Sequence, residues 1–260
     1  MRDSWDRRVD RAAQLAARDE AARPLLETYG RLLRGQRDAF NALGLNAARL
    51  TGSLEADLPL VRRAAAPVLA AAIEAGPPSL AEDARRIQKE AEHAVDALLL
   101  VSWLAGESPG FFAKAILQPY AEHLAMAGVR PDDRPGHGSS QSCPFCGGAP
   151  QLSVLRSSGN SEGGGRFLQC ATCLTEWPVR RVLCPHCGEE DERRLGYYHA
   201  PAFDHLRVDA CETCRRYLKS VDLTRLGLAV PLVDEVAGAS LDLWAVEQGY
   251  AKIEINLVGL

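Results

Sequence analysis

Four Cys-x-x-Cys pairs, Cys143/Cys146, Cys170/Cys173, Cys184/Cys187 and Cys211/Cys214, account for all eight cysteines of this chain. The pairs repeat. From Cys143 to Cys184 is a step of 41 residues, and Cys146–Cys187, Cys170–Cys211 and Cys173–Cys214 give the same step. Their neighbours repeat as well: Cys-Pro-Phe-Cys-Gly matches Cys-Pro-His-Cys-Gly, and Thr172 matches Thr213. Two copies of one unit, each opened and closed by such a pair, amount to an internal duplication. Two intervening residues let one tight turn present both sulfurs to one ion. The glycine after the opening pair supplies a backbone conformation that other residues avoid. Two such turns at the ends of a short antiparallel sheet offer four thiolates in a tetrahedron, the rubredoxin or zinc-ribbon pattern. A 41-residue unit with few large apolar side chains has little to fold around, so metal binding here is folding energy.

All eight cysteines, Cys143, Cys146, Cys170, Cys173, Cys184, Cys187, Cys211 and Cys214, are therefore expected to be metal ligands, four to each of two sites. Four thiolates suit iron and zinc equally. Ligation within each repeat is the natural choice, and spacing does not exclude an interleaved one. Disulfides are the other use of clustered cysteines. They belong to exported chains, and the densely charged opening Met1–Arg8 has no apolar stretch of the kind that directs secretion. The most apolar run, Ala97–Ala105, is too short to span a bilayer. A soluble, cytoplasmic protein is the expectation.

The first half has a different texture. Trp5, Val9, Ala12, Ala13 and Ala16 fall at helical spacing, as do Leu25, Leu26, Tyr29, Leu32 and Leu33, with Pro24 between the sets. Ser79 and Glu82 form a capping-box pattern. Leu80, Ala84, Ile87, Ala91, Ala94, Val95 and Leu98 behind them mark one long amphipathic face. A further helix is expected from Phe111 to Met126, kinked or split at Pro119. Residues 131–142 lie in a linker of proline, glycine and serine without periodicity. Beyond it come short β-type runs at Gln151–Leu155, Arg166–Gln169, Val179–Leu183, Leu195–His199, Leu206–Asp209 and Tyr217–Val221, with Ser157–Gly165 as a hairpin tip. A last helix after Pro231 and an alternating strand from Lys252 to Leu257 complete the chain. The fold class is α+β: an N-terminal multihelical domain, residues 1–130, followed by two tandem rubredoxin-like (zinc-ribbon-type) metal modules at 143–183 and 184–224, then a C-terminal helix and strand at 225–260.

Catalytic constellations are absent from the pattern, and the expectation is a non-enzyme. Gly106-Glu107-Ser108-Pro109-Gly110 matches a hydrolase nucleophile elbow only by letters, since it joins two helices instead of a strand and a helix. His186 sits inside a pair whose ligand count is complete, which predicts a solvent-facing turn residue. His93 and His123 fall on helices as surface or core histidines. From Cys143 to Lys219 ten basic residues meet nine acidic ones, and thiolates on divalent ions would tip this region negative. A basic footprint for nucleic acid is missing.

Three segments carry a resemblance: Phe111–Tyr120 (Phe-Phe-Ala-Lys-Ala-Ile-Leu-Gln-Pro-Tyr), Cys170–Trp177 (Cys-Ala-Thr-Cys-Leu-Thr-Glu-Trp) and Leu241–Tyr250 (Leu-Asp-Leu-Trp-Ala-Val-Glu-Gln-Gly-Tyr). With the four cysteine pairs they resemble the formate dehydrogenase accessory proteins, the FdhE family. The resemblance implies a cytoplasmic maturation factor that binds the catalytic subunit of a molybdenum- or tungsten-containing formate dehydrogenase before its export by the twin-arginine route. It also implies iron at the two cysteine sites, with zinc as the alternative, and singles out Tyr120, Glu176, Trp177 and Gln248 as signature residues for structure or contact. The competing readings are a rubredoxin-like electron-transfer protein and, less favoured by charge, a nucleic-acid-binding zinc ribbon.

Overall fold

The structure is a computed structural model and describes residues 4–46, 49–105, 110–134, 141–157 and 164–260. The chain divides into two compact units. The first is Met1–His137 with Phe145–Gly148 and Thr172–Leu174. The second comprises Gly138–Pro144, Ala149–Ala171 and Thr175–Leu260.

The first unit is helical: α1 (Ser4–Arg18), α2 (Arg23–Gly44), α3 (Leu54–Ala75), α4 (Pro78–Lys89), α5 (Glu92–Ala105) and α6 (Phe111–Ala127). Leucine, alanine and aromatic residues at three- and four-residue spacing turn one face of the outer helices inward, whereas α6 is buried on all sides from Phe112 to Glu122. Trp5, Leu26, Leu33, Val61, Val68, Trp103, Tyr120 and Leu124 all end up buried. Pro119 does not split α6, which runs unbroken from Phe111 to Ala127. Its missing N–H leaves the Ala115 carbonyl without its helical donor, and the Gln36 side chain on α2 fills the vacancy at 3.0 Å. The capping box does not form. Helix α4 starts two residues earlier, with Pro77 instead of Ser79 as the N-cap and Pro78 as the first helical residue, where a fixed φ suits the first turn and a missing N–H costs nothing. The long face predicted from Leu80 to Leu98 is cut at Glu90, whose backbone is extended. Helix α5 then buries Leu99 and Trp103 and leaves Leu98 outside.

Polar anchors in this unit are few and deep. Arg8 on α1 forms a two-pronged pair with Glu122 on α6, at 2.9 and 2.6 Å. Tyr120 donates to Asp57 at 2.9 Å, and Asp57 also accepts the backbone N–H groups of Thr51 and Gly52 at the start of α3. Burial first, then the Asp57 charge, pushes the Tyr120 hydroxyl far above the ordinary phenol value.

The second unit is a seven-stranded sheet with two short helices. Its strands are β1 (Pro150–Arg156), β2 (Gly165–Cys170), β3 (Glu176–Val179), β4 (Leu195–His199), β5 (Leu206–Cys211), β6 (Arg216–Asp222) and β7 (Ala251–Lys252). The duplication is visible in it: β2 shifted by 41 residues coincides with β5. Strands β1-β2-β3 form one antiparallel meander and β4-β5-β6 another. The meanders join edge to edge through a parallel pairing of β1 with β6, Leu152 opposite Lys219 and Val154 opposite Val221. The order is β3-β2-β1-β6-β5-β4, with β7 added beside β6. At the seam Arg166 is buried and bonds Asp209 at 3.0 Å and the Leu183 carbonyl at 2.8 Å, while Ser220 donates to the same aspartate at 2.6 Å. Its counterpart in the second copy, Arg207, reaches Asp209 from the other side at 2.7 Å.

Helices α7 (Pro231–Ala237) and α8 (Ala239–Glu247) pack on β6, β1 and β5. They cover a core of Leu206, Val208, Tyr217, Val221, Leu241 and Ala245. Two expected strands differ. Val179–Leu183 is replaced by Glu176–Val179, and the terminal strand shrinks to Ala251–Lys252. The predicted single helix after Pro231 breaks at Gly238 into α7 and α8. Parts of the expected linker (135–140), hairpin tip (158–163) and Gly-x-Ser-x-Gly segment (106–109) lie outside the described residues.

Candidate metal centres

The structure gathers the eight cysteines into two groups of four. They are Cys143, Cys146, Cys170 and Cys173, and Cys184, Cys187, Cys211 and Cys214. Within each group the sulfurs lie within 4.8 Å of one another, and no disulfide links any of them. The grouping follows the repeats and not an interleaved pattern.

Each group is built from two turns, and every turn uses the same backbone device. The residue after its second cysteine has positive φ: Gly147 at 72° and Leu174 at 61° in the first copy, Gly188 at 78° and Arg215 at 56° in the second. This left-handed residue swings the chain back so that amide groups gather around the cysteines. Gly188 and Arg215 donate to the carbonyls of Cys184 and Cys211 at 3.0 and 2.9 Å, and Cys184 donates to the Glu189 carbonyl at 2.8 Å. Glycine takes the conformation without strain, whereas a side chain costs about 1–2 kcal/mol there. The glycines were legible from the sequence; Leu174 and Arg215 were not, because neither residue type favours that region.

In the second group Cys184 and Cys214 stand 3.7 Å apart, sulfur to sulfur, as do Cys187 and Cys211. Bonds of about 2.3 Å from a central ion to four sulfurs give a tetrahedron with edges of about 3.8 Å. The donor set fits a thiophilic ion without rearrangement. As thiols, the cluster resists ionisation: burial pushes Cys184 up to about 11 and Cys214 higher still. Burial also acts on Cys211, but amide donors from Cys214 and Thr213 hold it below its ordinary value. An ion entering the group must therefore displace protons.

The other residues singled out from the sequence have these places in the structure. His186 is exposed, as is His93, and His123 stacks on Phe40 with ring centroids 4.5 Å apart. Tyr120 and Trp177 are buried, Glu176 pairs with Arg156 at 2.8 Å, and Gln248 is exposed while its carbonyl accepts from Arg215 at 2.6 Å.

Family models for the central domain and the C-terminal domain of FdhE match residues 142–181 and 182–258. An FdhE homologue of Aquifex aeolicus is 33% identical over 196 residues, which are 74% of this chain and 68% of the relative. The chain belongs to the FdhE family. A Pseudomonas putida FdhE homologue is 35% identical over 46% of this chain and 39% of its own length. The crystal structure of the FdhE protein from Pseudomonas aeruginosa superimposes with a TM-score of 0.70 at 25% identity, covering 97% of this chain and 94% of that one. The resemblance carried by the three segments and the α+β architecture are both borne out. Among the described residues no helix is long and apolar enough to cross a membrane.

One polar cluster of the second unit escaped the sequence reading. Lys219 on β6, Glu235 on α7, Asp242 on α8 and Lys252 on β7 are all buried and mutually paired. Tyr217 donates to Asp242 and Asn256 to Glu235, each at 2.9 Å. Burial alone would raise the Glu235 carboxyl, but Lys219 and Lys252 hold it down at about 2.

Proposed function

We propose that this chain is a cytoplasmic accessory protein for the maturation of formate dehydrogenase. In this reading it binds the enzyme's catalytic subunit before export and holds one metal ion in each four-cysteine group through all eight thiolates. The pairing of two such groups in a member of the FdhE family carries the proposal. The ion would supply folding free energy to the cysteine turns, and iron would add one-electron chemistry that zinc lacks. Iron is the assignment proposed. The chain's own part is to hold the two turns of each group in register and to present the surrounding surface to a client.

The test is a pull-down from host cells making formate dehydrogenase, with this protein as bait. Recovery of the unexported catalytic subunit is the expected result. Its absence while the enzyme is being synthesised would overturn the client assignment. Elemental analysis of the same preparation distinguishes iron from zinc, and a zinc-filled native protein would also end the electron-transfer alternative.

A further inference from the structure

The duplication made two metal groups with one backbone plan, but the copies differ in what surrounds them. Cys143, Cys146 and Cys170 are 0% exposed and Cys173 is 1% exposed. In the second group Cys184 and Cys211 are nearly as deep, at 3% and 2%. Cys187 is exposed and Cys214 only half-buried. One edge of the second tetrahedron therefore faces solvent, and no edge of the first does.

The amino-acid replacements between the copies say the same thing independently. Phe145 in the first copy stands where the exposed His186 stands in the second. Buried Ala171 becomes exposed Glu212, Leu174 becomes Arg215, and Gly148 becomes Glu189. Each change exchanges an apolar or neutral residue for a polar or charged one around the cysteine turns. These replacements accord with a second pair of turns that meets water. The polar residues of the second copy also form a tie. Glu189 accepts the hydroxyl of Thr213 and the N–H groups of Glu190 and Asp191, which pins one turn against the other.

We propose that the two groups do different work: the second is the exchangeable and chemically reactive centre, opening at Cys187 and Cys214, and the first is a permanent structural centre. The proposal rests on the reading that both groups hold an ion. Removing an ion from four thiolates proceeds by stepwise replacement of ligands. The incoming donor must first reach an ion–sulfur edge, or the sulfur itself must be reached by a thiol-directed reagent. Cys187 and Cys214 satisfy that condition in the folded chain. The ligands of the first group become reachable only when the surrounding structure opens, so their exchange is limited by local unfolding.

The experiment uses the full chain loaded with cobalt(II), whose thiolate absorption reports occupancy. Metal content is measured first, and two ions per chain are expected. The loaded protein is then challenged with a neutral chelator, phenanthroline, and in parallel with the neutral alkylating agent iodoacetamide followed by peptide mapping. One equivalent should leave at least tenfold faster than the other, and label should accumulate at Cys187 and Cys214 before any cysteine of the first group. The variant Cys187→Ser should lose the fast equivalent and keep the slow one. Failure to bind two ions would overturn the metal reading and this proposal with it. Two bound ions that leave at one rate, or label arriving first at Cys143, Cys146, Cys170 or Cys173, would overturn the inequivalence alone.

Discussion

Replacing Lys219 by methionine removes one ammonium from the buried cluster under α7 and α8 while keeping most of the side-chain volume. In the wild type two cations, Lys219 and Lys252, face two anions, Glu235 and Asp242: the closest pairs are Lys219 with Asp242 and Lys252 with Glu235, and the crossed pairs stand at 3.1 Å (Lys219–Glu235) and 2.9 Å (Lys252–Asp242). Lys219 also donates to the Gly238 carbonyl at 3.3 Å. Without it, one ammonium serves two carboxylates inside the protein, and an uncompensated buried charge costs about 3–5 kcal/mol. For a domain of this size, losing about 2 kcal/mol per molar urea, the unfolding midpoint should fall by about 1.5–2.5 M. Asp242→Asn alone leaves the opposite imbalance and should also be costly. The double variant restores neutrality with Lys252 facing Glu235, and it should be at least about 2 kcal/mol more stable than the sum of the single losses predicts. Urea titrations followed by circular dichroism give all four corners of this cycle. A single-variant cost below about 1 kcal/mol, or strictly additive losses, would refute the charge-balance argument.

Four further outcomes are expected. Cys143→Ser and Cys184→Ser should each lower the metal content from two ions to one and unfold the surrounding strands, as read by elemental analysis and hydrogen exchange of β2 or β5 peptides. Gly188→Val should cost about 1–2 kcal/mol in thermal unfolding, because φ is 78° there and an added Cβ would sit 2.7 Å from Gln141 Nε2. Tyr120→Phe removes a buried hydrogen bond to Asp57 and should cost about 1–2 kcal/mol in urea titration of the helical unit. Glu235 is depressed in the folded chain, so its contribution is complete above pH about 4.5 and is lost as pH falls through about 2. Urea midpoints taken across that window, with metal retention followed in parallel, should decline accordingly; a flat profile would contradict the pairing.

What could be read from the sequence was chemistry that depends on residue type and spacing. The 41-residue repeat gave both metal groups because cysteine ligation needs these residues at these intervals. Leu195–His199 and Leu206–Asp209 were legible because β-branched, aromatic and leucine runs sat between turn signals. Partnerships across long distances were not. Pro119 signals a break, and only Gln36, 83 positions earlier, explains why α6 continues. The alternation of residues 252–257 was visible, but up to Asn256 it is inverted: Lys252, Glu254 and Asn256 are buried and Ile255 is 40% exposed, and only Leu257 turns inward as expected. Hydrophobic patterning assigns the apolar side inward, and here a buried ionic cluster reverses that rule. The Arg166–Asp209 pair at the seam likewise depends on a parallel strand contact that no local signal announces.

That seam has a consequence for how the duplicated halves can exist. A four-cysteine module made of three strands has two open sides, and each invites unwanted association with another chain. Joining β1 to β6 in parallel consumes one open side from each copy, leaving β3 and β4 as the flanks. The β3 flank is four residues long and carries Pro178, which withholds an amide from any would-be neighbour. Separating the copies along this line would bare the edge of β1 in one and of β6 in the other, so the two repeats are held as one sheet and each shields the other from edge-to-edge association.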